Sequence, residues 1–242
     1  MFELVIQIGE CRLFLINEDM LYLFTGCLAP TEATLETIIT DSSGAPLSLA
    51  EIVVYDEEAV EYSSTSSDED GFISVEIPPL ETFFVALSAD EFITTSFTGY
   101  AGDGLFAAPE GSLYLRSEAE LLTLASLFTS CEPTGYPAID GNVRLDIPHQ
   151  AQEDLPLLSG VLIEGTSSTE ETFNACYTEN NSTEDGTGTS GVFGFFDLAE
   201  GLYTLKARLN STEDSDLEIE YPFFLPENGN IPVYPLFFPL PS

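Results

Sequence analysis

Basic side chains are nearly absent from this sequence. Only 5 of its 242 residues are Lys or Arg, against 42 Asp or Glu, giving a formal net charge of -37 in which Lys206 is the sole lysine. Nucleic acids and anionic lipid surfaces are bound by Lys and Arg replacing counterions at phosphate, so both are excluded as partners. Histidine is equally scarce. His149, beside Pro148, is the only one, so a zinc site of several imidazoles is excluded and any Ser-His-Asp arrangement would have to use this residue. No Gly-x-Ser-x-Gly elbow is present, and Gly99 to Gly104 lacks the Lys and helix of a phosphate loop. The sequence therefore predicts no enzyme. Long apolar runs are missing too: Glu10, Arg12, Glu18 and Asp19 interrupt the N-terminal segment, which falls short of the roughly 20 residues of a membrane-spanning helix.

What is present is apolar content and a repeat. Hydrophobic residues make up 44% of the chain and aromatics 12%, enough to bury a core. Asp68-Glu69-Asp70-Gly71-Phe72 is a polar turn breaking into a strand, Ile77-Pro78-Pro79 ends that strand, and Phe83, Val85 and Leu87 alternate along the next. A second copy follows about 110 to 120 residues later. There Ser190-Gly191-Val192-Phe193 opens a strand, Leu198-Ala199-Glu200-Gly201 turns it, and Tyr203, Leu205 and Ala207 alternate. The second copy carries an insertion of roughly ten residues, in the polar stretch 167–190. Between the copies, Ser117 and Glu120 form a capping-box pattern, and Leu121, Leu122, Leu124, Ala125 and Phe128 recur at helical spacing as far as Ser130. Short strands with frequent turns and one helix predict four segments: 1–33, a first sandwich at 34–116, a linking helix and turn at 117–138, and a second sandwich at 139–242. The prolines from Pro222 to Pro241 suit an edge strand.

The combination of Gly44-Ala45-Pro46-Leu47, the Asp70-Gly71-Phe72 turn and a proline- or glycine-marked turn before an alternating aromatic strand resembles the carboxypeptidase regulatory-like domain. That resemblance implies an all-β chain of two tandem transthyretin-like β-sandwich domains joined by one short α-helix. It also implies a noncatalytic module, which in tandem form occurs in bacterial surface lipoproteins. Leu23-Phe24-Thr25-Gly26-Cys27 resembles a lipoprotein cleavage box, making Cys27 the expected lipid attachment. An N-terminal strand pair packed on the first domain is the alternative for this segment.

Removal of Cys11 with a signal and lipidation of Cys27 would leave two thiols. Cys131 and Cys176 are then a disulfide candidate in an exported protein, with two buried free cysteines as the alternative. Asp68 and Asp70 supply hard oxygen ligands suited to calcium, though without the distal bidentate Glu of a complete calcium loop; the same pattern serves plain turn chemistry. Lys206 lies mid-strand, which argues against a Lys-to-Asn isopeptide crosslink. Asn180, Asn181 and Asn210 sit in Asn-x-Ser/Thr patterns that matter only in a glycosylating host.

The expectation is a noncatalytic structural or adhesive protein on the outer face of a cell envelope, tethered by lipid and needing no cofactor. Its loops would meet an envelope protein or a glycan. The alternative is a soluble small-ligand or calcium-binding module using the acidic loops, with secretion as its location.

Overall fold

The structure, a computed structural model, describes the backbone of residues 3–8, 11–16, 21–24, 33–101, 105–107, 113–146, 155–180, 182–184, 186–209 and 219–239. Side chains are described for 33–101, 113–144, 155–180, 182–184, 186–208 and 220–233. The N-terminal segment forms three antiparallel strands in sequential order, β1 (Glu3–Ile8), β2 (Cys11–Ile16) and β3 (Leu21–Phe24). Cys27 lies outside the described residues.

Residues 33–115 contribute β4 (Ala33–Ile38), β5 (Thr40–Asp41), β6 (Glu51–Tyr55), β7 (Glu61–Ser66), β8 (Phe72–Ile77), β9 (Thr82–Ser88), β10 (Thr95–Tyr100), β11 (Leu105–Ala107) and β12 (Tyr114–Leu115). One sheet runs β10-β9-β6-β7 and the other β11-β4-β8, with a short β12-β5 pair beside them. Alternation decides which side chains enter. On β8, Ile73, Val75 and Ile77 are buried while Phe72, Ser74 and Glu76 face out. They meet Leu35 of β4, Ile52 and Val54 of β6, and Phe83, Val85 and Leu87 of β9 in a single core between the two sheets, as a two-layer β architecture requires.

The helix α1 (Glu118–Ala125) follows. After it come β13 (Ile139–Asp146), β14 (Val161–Ser167), β15 (Thr172–Asn174), β16 (Cys176–Tyr177), β17 (Val192–Phe195), β18 (Gly201–Leu209), β19 (Ile219–Leu225) and β20 (Ile231–Pro239). Their sheets run β19-β18-β14-β15 and β20-β13-β17-β16. The first of these reproduces β10-β9-β6-β7 strand for strand. The second reproduces β11-β4-β8, down to the parallel pairing of the last strand with the first, and adds β16 at the far edge. A second core cluster, with Ile139, Ile163, Tyr177, Phe193, Phe195, Leu205 and Phe223, fills the space between these sheets. The described chain is thus mostly β-strand in several sheets with one helix.

The acidic turn forms as its residue types dictate. The Asp68 side chain accepts from the backbone N–H groups of Asp70 and Phe72, both at 2.9 Å. Gly71 adopts φ +77°, and a Cβ there would lie 2.8 Å from the Ile39 carbonyl oxygen, so both conformation and space demand glycine.

One boundary differs from the sequence reading. The helix carries the capping box of Ser117 and Glu120, but it stops at Ala125 instead of continuing to Ser130. Residues beyond it are captured by the second half: Phe128 bridges Thr178, and the N–H groups of Thr129 and Ser130 donate to the Tyr177 carbonyl. The apolar spacing of Phe128 fits a helix and this packing equally. The strand β10 begins only at Thr95, because Ile93 is engaged by Arg116 in a separate bridge.

Candidate functional site

The most constrained polar cluster lies where the two halves meet. Arg116 follows β12 directly, and its backbone carbonyl accepts from Ile93 at 3.0 Å, which fixes where the side chain starts. The guanidinium then crosses to β13 and donates to both carboxylate oxygens of Asp140, Nη1 at 3.0 Å and Nη2 at 2.6 Å. The same Nη2 donates to the side-chain oxygen of Asn230. Asn230, fully buried, donates its amide to the Asp140 carboxylate at 2.9 Å and to the Pro137 carbonyl at 2.8 Å. Its backbone continues the first half's β10 edge: Asn230 N–H donates to the Thr94 carbonyl at 2.8 Å, and the Asn230 carbonyl accepts from Ser96 at 2.9 Å.

The side chains of Arg116 and Asp140 are only 13% and 10% exposed. Burial works to lower the Arg116 pKa, but the Asp140 charge and hydrogen bonds outweigh it and hold the guanidinium above its ordinary value. Burial also raises the phenol of neighbouring Tyr114, helped by the Asp140 and Glu120 carboxylates and opposed by Arg116. A charged pair this enclosed, with its carboxylate satisfied by Arg and Asn together, fixes geometry more than it supplies chemistry.

An apolar contact widens the junction. Phe84 of β9 and Tyr55 of β6 meet Phe224 of β19 with ring centroids 6.1 and 4.7 Å apart, and the Thr98 hydroxyl donates to the Pro222 carbonyl at 3.0 Å. This explains why β9 is buried on both faces: Phe83, Val85 and Leu87 enter the core while Phe84 and Ala86 are covered from outside.

A covalent tie lies nearby. Cys131 and Cys176 form a disulfide with their Cα atoms 5.7 Å apart, so the exit of α1 is joined to β16 inside the 167–190 insertion. Tyr177, next to Cys176, is 1% exposed, and its hydroxyl accepts from the Ile163 N–H at 2.8 Å. Burial pushes its phenol up to about 12, against the opposing influence of the Ile163 hydrogen bond and the Arg208 charge.

The remaining sequence candidates are dispersed. Asp68 and Asp70 are exposed, and one Asp68 oxygen is taken up by the turn it closes. Among the described residues no three His, Cys, Asp or Glu gather as a metal-binding group. Lys206 pairs with Glu220 across β18 and β19 at 2.7 Å. His149 lies outside the described residues. Sequence reasoning missed Arg116, Asp140 and Asn230; the available signal was the rarity of Arg, which makes each one inside a structured segment a candidate for a specific contact.

No protein-family model and no curated protein matches the chain. Among solved structures it is similar to the shaft pilin SpaA from Lactobacillus rhamnosus GG, with 12% identity, a TM-score of 0.27 and coverage of 85% of this chain and 98% of that one. The minor pilin GBS52 of Streptococcus agalactiae gives 8%, 0.28, 87% and 97%. The Bacillus anthracis TIE protein gives 14% and 0.28, with 86% of this chain spanning 34% of that one, so the chain spans about a third of the length of that protein. TM-scores of this size establish neither a shared family nor a shared function. Among the described residues no helix is long and apolar enough to cross a membrane.

Proposed function

We propose that this chain is a noncatalytic structural or adhesive module of a cell surface, built of two tandem transthyretin-like β-sandwich domains held at one fixed angle. The observation that carries this reading is the Arg116, Asp140 and Asn230 cluster, in which the charged side chains brought together at the junction are engaged with each other and with backbone. A spacer or stalk needs a set angle between its units. A site that turns over substrate needs polar groups turned outward to it.

The disulfide supports export, since such bonds persist in oxidising compartments. A net charge of -37 suits a soluble, self-repelling surface. Cys27 is the proposed lipid attachment, resting on its cleavage-box pattern alone. Brief protease treatment of intact source cells tests the reading: peptides from the exposed residues 168–172 of the insertion should be released before lysis. Release only after lysis would place the protein inside the cell and contradict it. Incorporation of labelled fatty acid, lost in Cys27→Ala, tests the anchor separately.

A further inference from the structure

Two of the chain's five cationic residues line one pocket. Alternation on β18 sends Tyr203, Leu205 and Ala207 into the core, leaving Lys206 and Arg208 on the outer face of sheet β19-β18-β14-β15. They border a pocket of about 200 Å³ together with Glu164 of β14, Asn174 of β15, and Thr183 and Glu184 of the insertion. Strand register places these groups side by side: Glu164 stands opposite both Lys206 and Asn174.

The other cations with described side chains are committed elsewhere. Arg116 holds Asp140, Arg144 donates to Asn142 and to the Leu155 carbonyl, and Lys206 faces Glu220. Arg208 differs. It is exposed, and among the described residues it makes no hydrogen bond or ion pair, although acidic side chains outnumber basic ones 42 to 5 and two carboxylates line the same pocket. The guanidinium of Arg208 offers a planar fork for one carboxylate. Glu164 and Glu184 would repel a second anionic group but accept hydroxyl protons, and Asn174 and Thr183 can both donate and accept. The volume lies below the ~300 to 1,000 Å³ of pockets for drug-sized ligands, which leaves room for about one ring.

We propose that this pocket binds a carboxylated sugar, with the carboxylate on Arg208 and ring hydroxyls on Glu164 and Asn174. The ligand class is a single uronic-acid residue or the end of a chain of them. This assignment stands independently of the junction.

The test is titration of the full, isotope-labelled chain with sodium glucuronate, read by amide chemical shifts, with glucose as the uncharged control. Saturable shifts confined to Glu164, Asn174, Lys206 and Arg208, weaker by roughly ten-fold or more with glucose and in Arg208→Gln, are the expected result. Arg208 is exposed, so the variant should keep its melting temperature, which separates lost binding from lost folding. Equal response to glucose, an unchanged affinity in Arg208→Gln, or no saturable shift at all would overturn the proposal. A loss reproduced by Lys206→Gln but not by Arg208→Gln would overturn the role given to Arg208.

Discussion

Arg116 grips Asp140 with two parallel hydrogen bonds, 3.0 and 2.6 Å long, across the boundary between the halves of the chain. Removing one partner leaves the other's charge buried without its counter-charge, with Asn230 still hydrogen-bonded to it. Arg116→Ala should therefore lower the unfolding free energy by about 3 kcal/mol or more, and Asp140→Ala by a similar amount. The paired replacement Arg116→Met with Asp140→Leu should recover much of that loss, because no buried charge is then left alone. Denaturant titration of the four proteins measures the cycle, and full additivity of the single losses would contradict the pairing.

The Cys131 to Cys176 bridge closes a loop with a sequence separation of 45, and the chain-entropy model assigns such a closure about 4 kcal/mol. Cys131→Ser with Cys176→Ser should lose stability of that order. It should also raise hydrogen exchange at Thr129, Ser130 and Tyr177, whose backbone bonds the bridge holds together. Exchange that is unchanged at all three would contradict this account of the insertion.

Salt should stabilise the chain. At a net charge of -37 the folded state repels itself, and the screening length falls from about 30 Å at 0.01 M to about 3 Å at 1 M salt. The enclosed Arg116 to Asp140 pair is screened far less than surface charges. The melting temperature should rise monotonically with sodium chloride; a fall would mean that surface ion pairs dominate.

Acid acts through particular carboxylates. The Ser42 hydroxyl and the Ser117 backbone N–H hold Glu120 below its usual value of 4.5. A depressed folded pKa means the stabilisation is fully present above 4.5 and is lost as pH falls through the lower, folded value. Glu120→Gln should therefore be less stable than the unaltered chain at pH 7 and show a flatter profile below pH 4.5, the two proteins converging as the pH falls, as thermal melts across that range will show. An unchanged slope would indicate that Glu120 does not link α1 to the turn after β5.

The repeat was legible because both copies use the same local chemistry. An Asp or Ser before Gly turns the chain, and an alternating strand follows, so β8 and β9 and their counterparts β17 and β18 could be read directly. The run Phe83-Phe84-Val85-Ala86-Leu87 also held a signal that strict alternation hides: five apolar residues in succession mean burial on both faces, here by Phe224. The junction was not legible, because Arg116, Asp140 and Asn230 are distant in sequence and each is an ordinary polar residue in a turn or strand. The helix end was misjudged at Phe128 because an apolar residue at helical spacing also fits a bridge whose partner, Thr178, comes 50 residues later. Cys131 and Cys176 were legible by elimination, since setting aside Cys11 and Cys27 leaves one pair.

The proposed spacer requires the junction to fix the two halves at one angle. Residual dipolar couplings of the weakly aligned chain test it most directly. Amides of 33–101 and of 161–180 should fit one shared alignment tensor, and Arg116→Ala should split them into two. Two different tensors in the unaltered chain would show halves that reorient freely, and the proposed fixed spacer would be wrong.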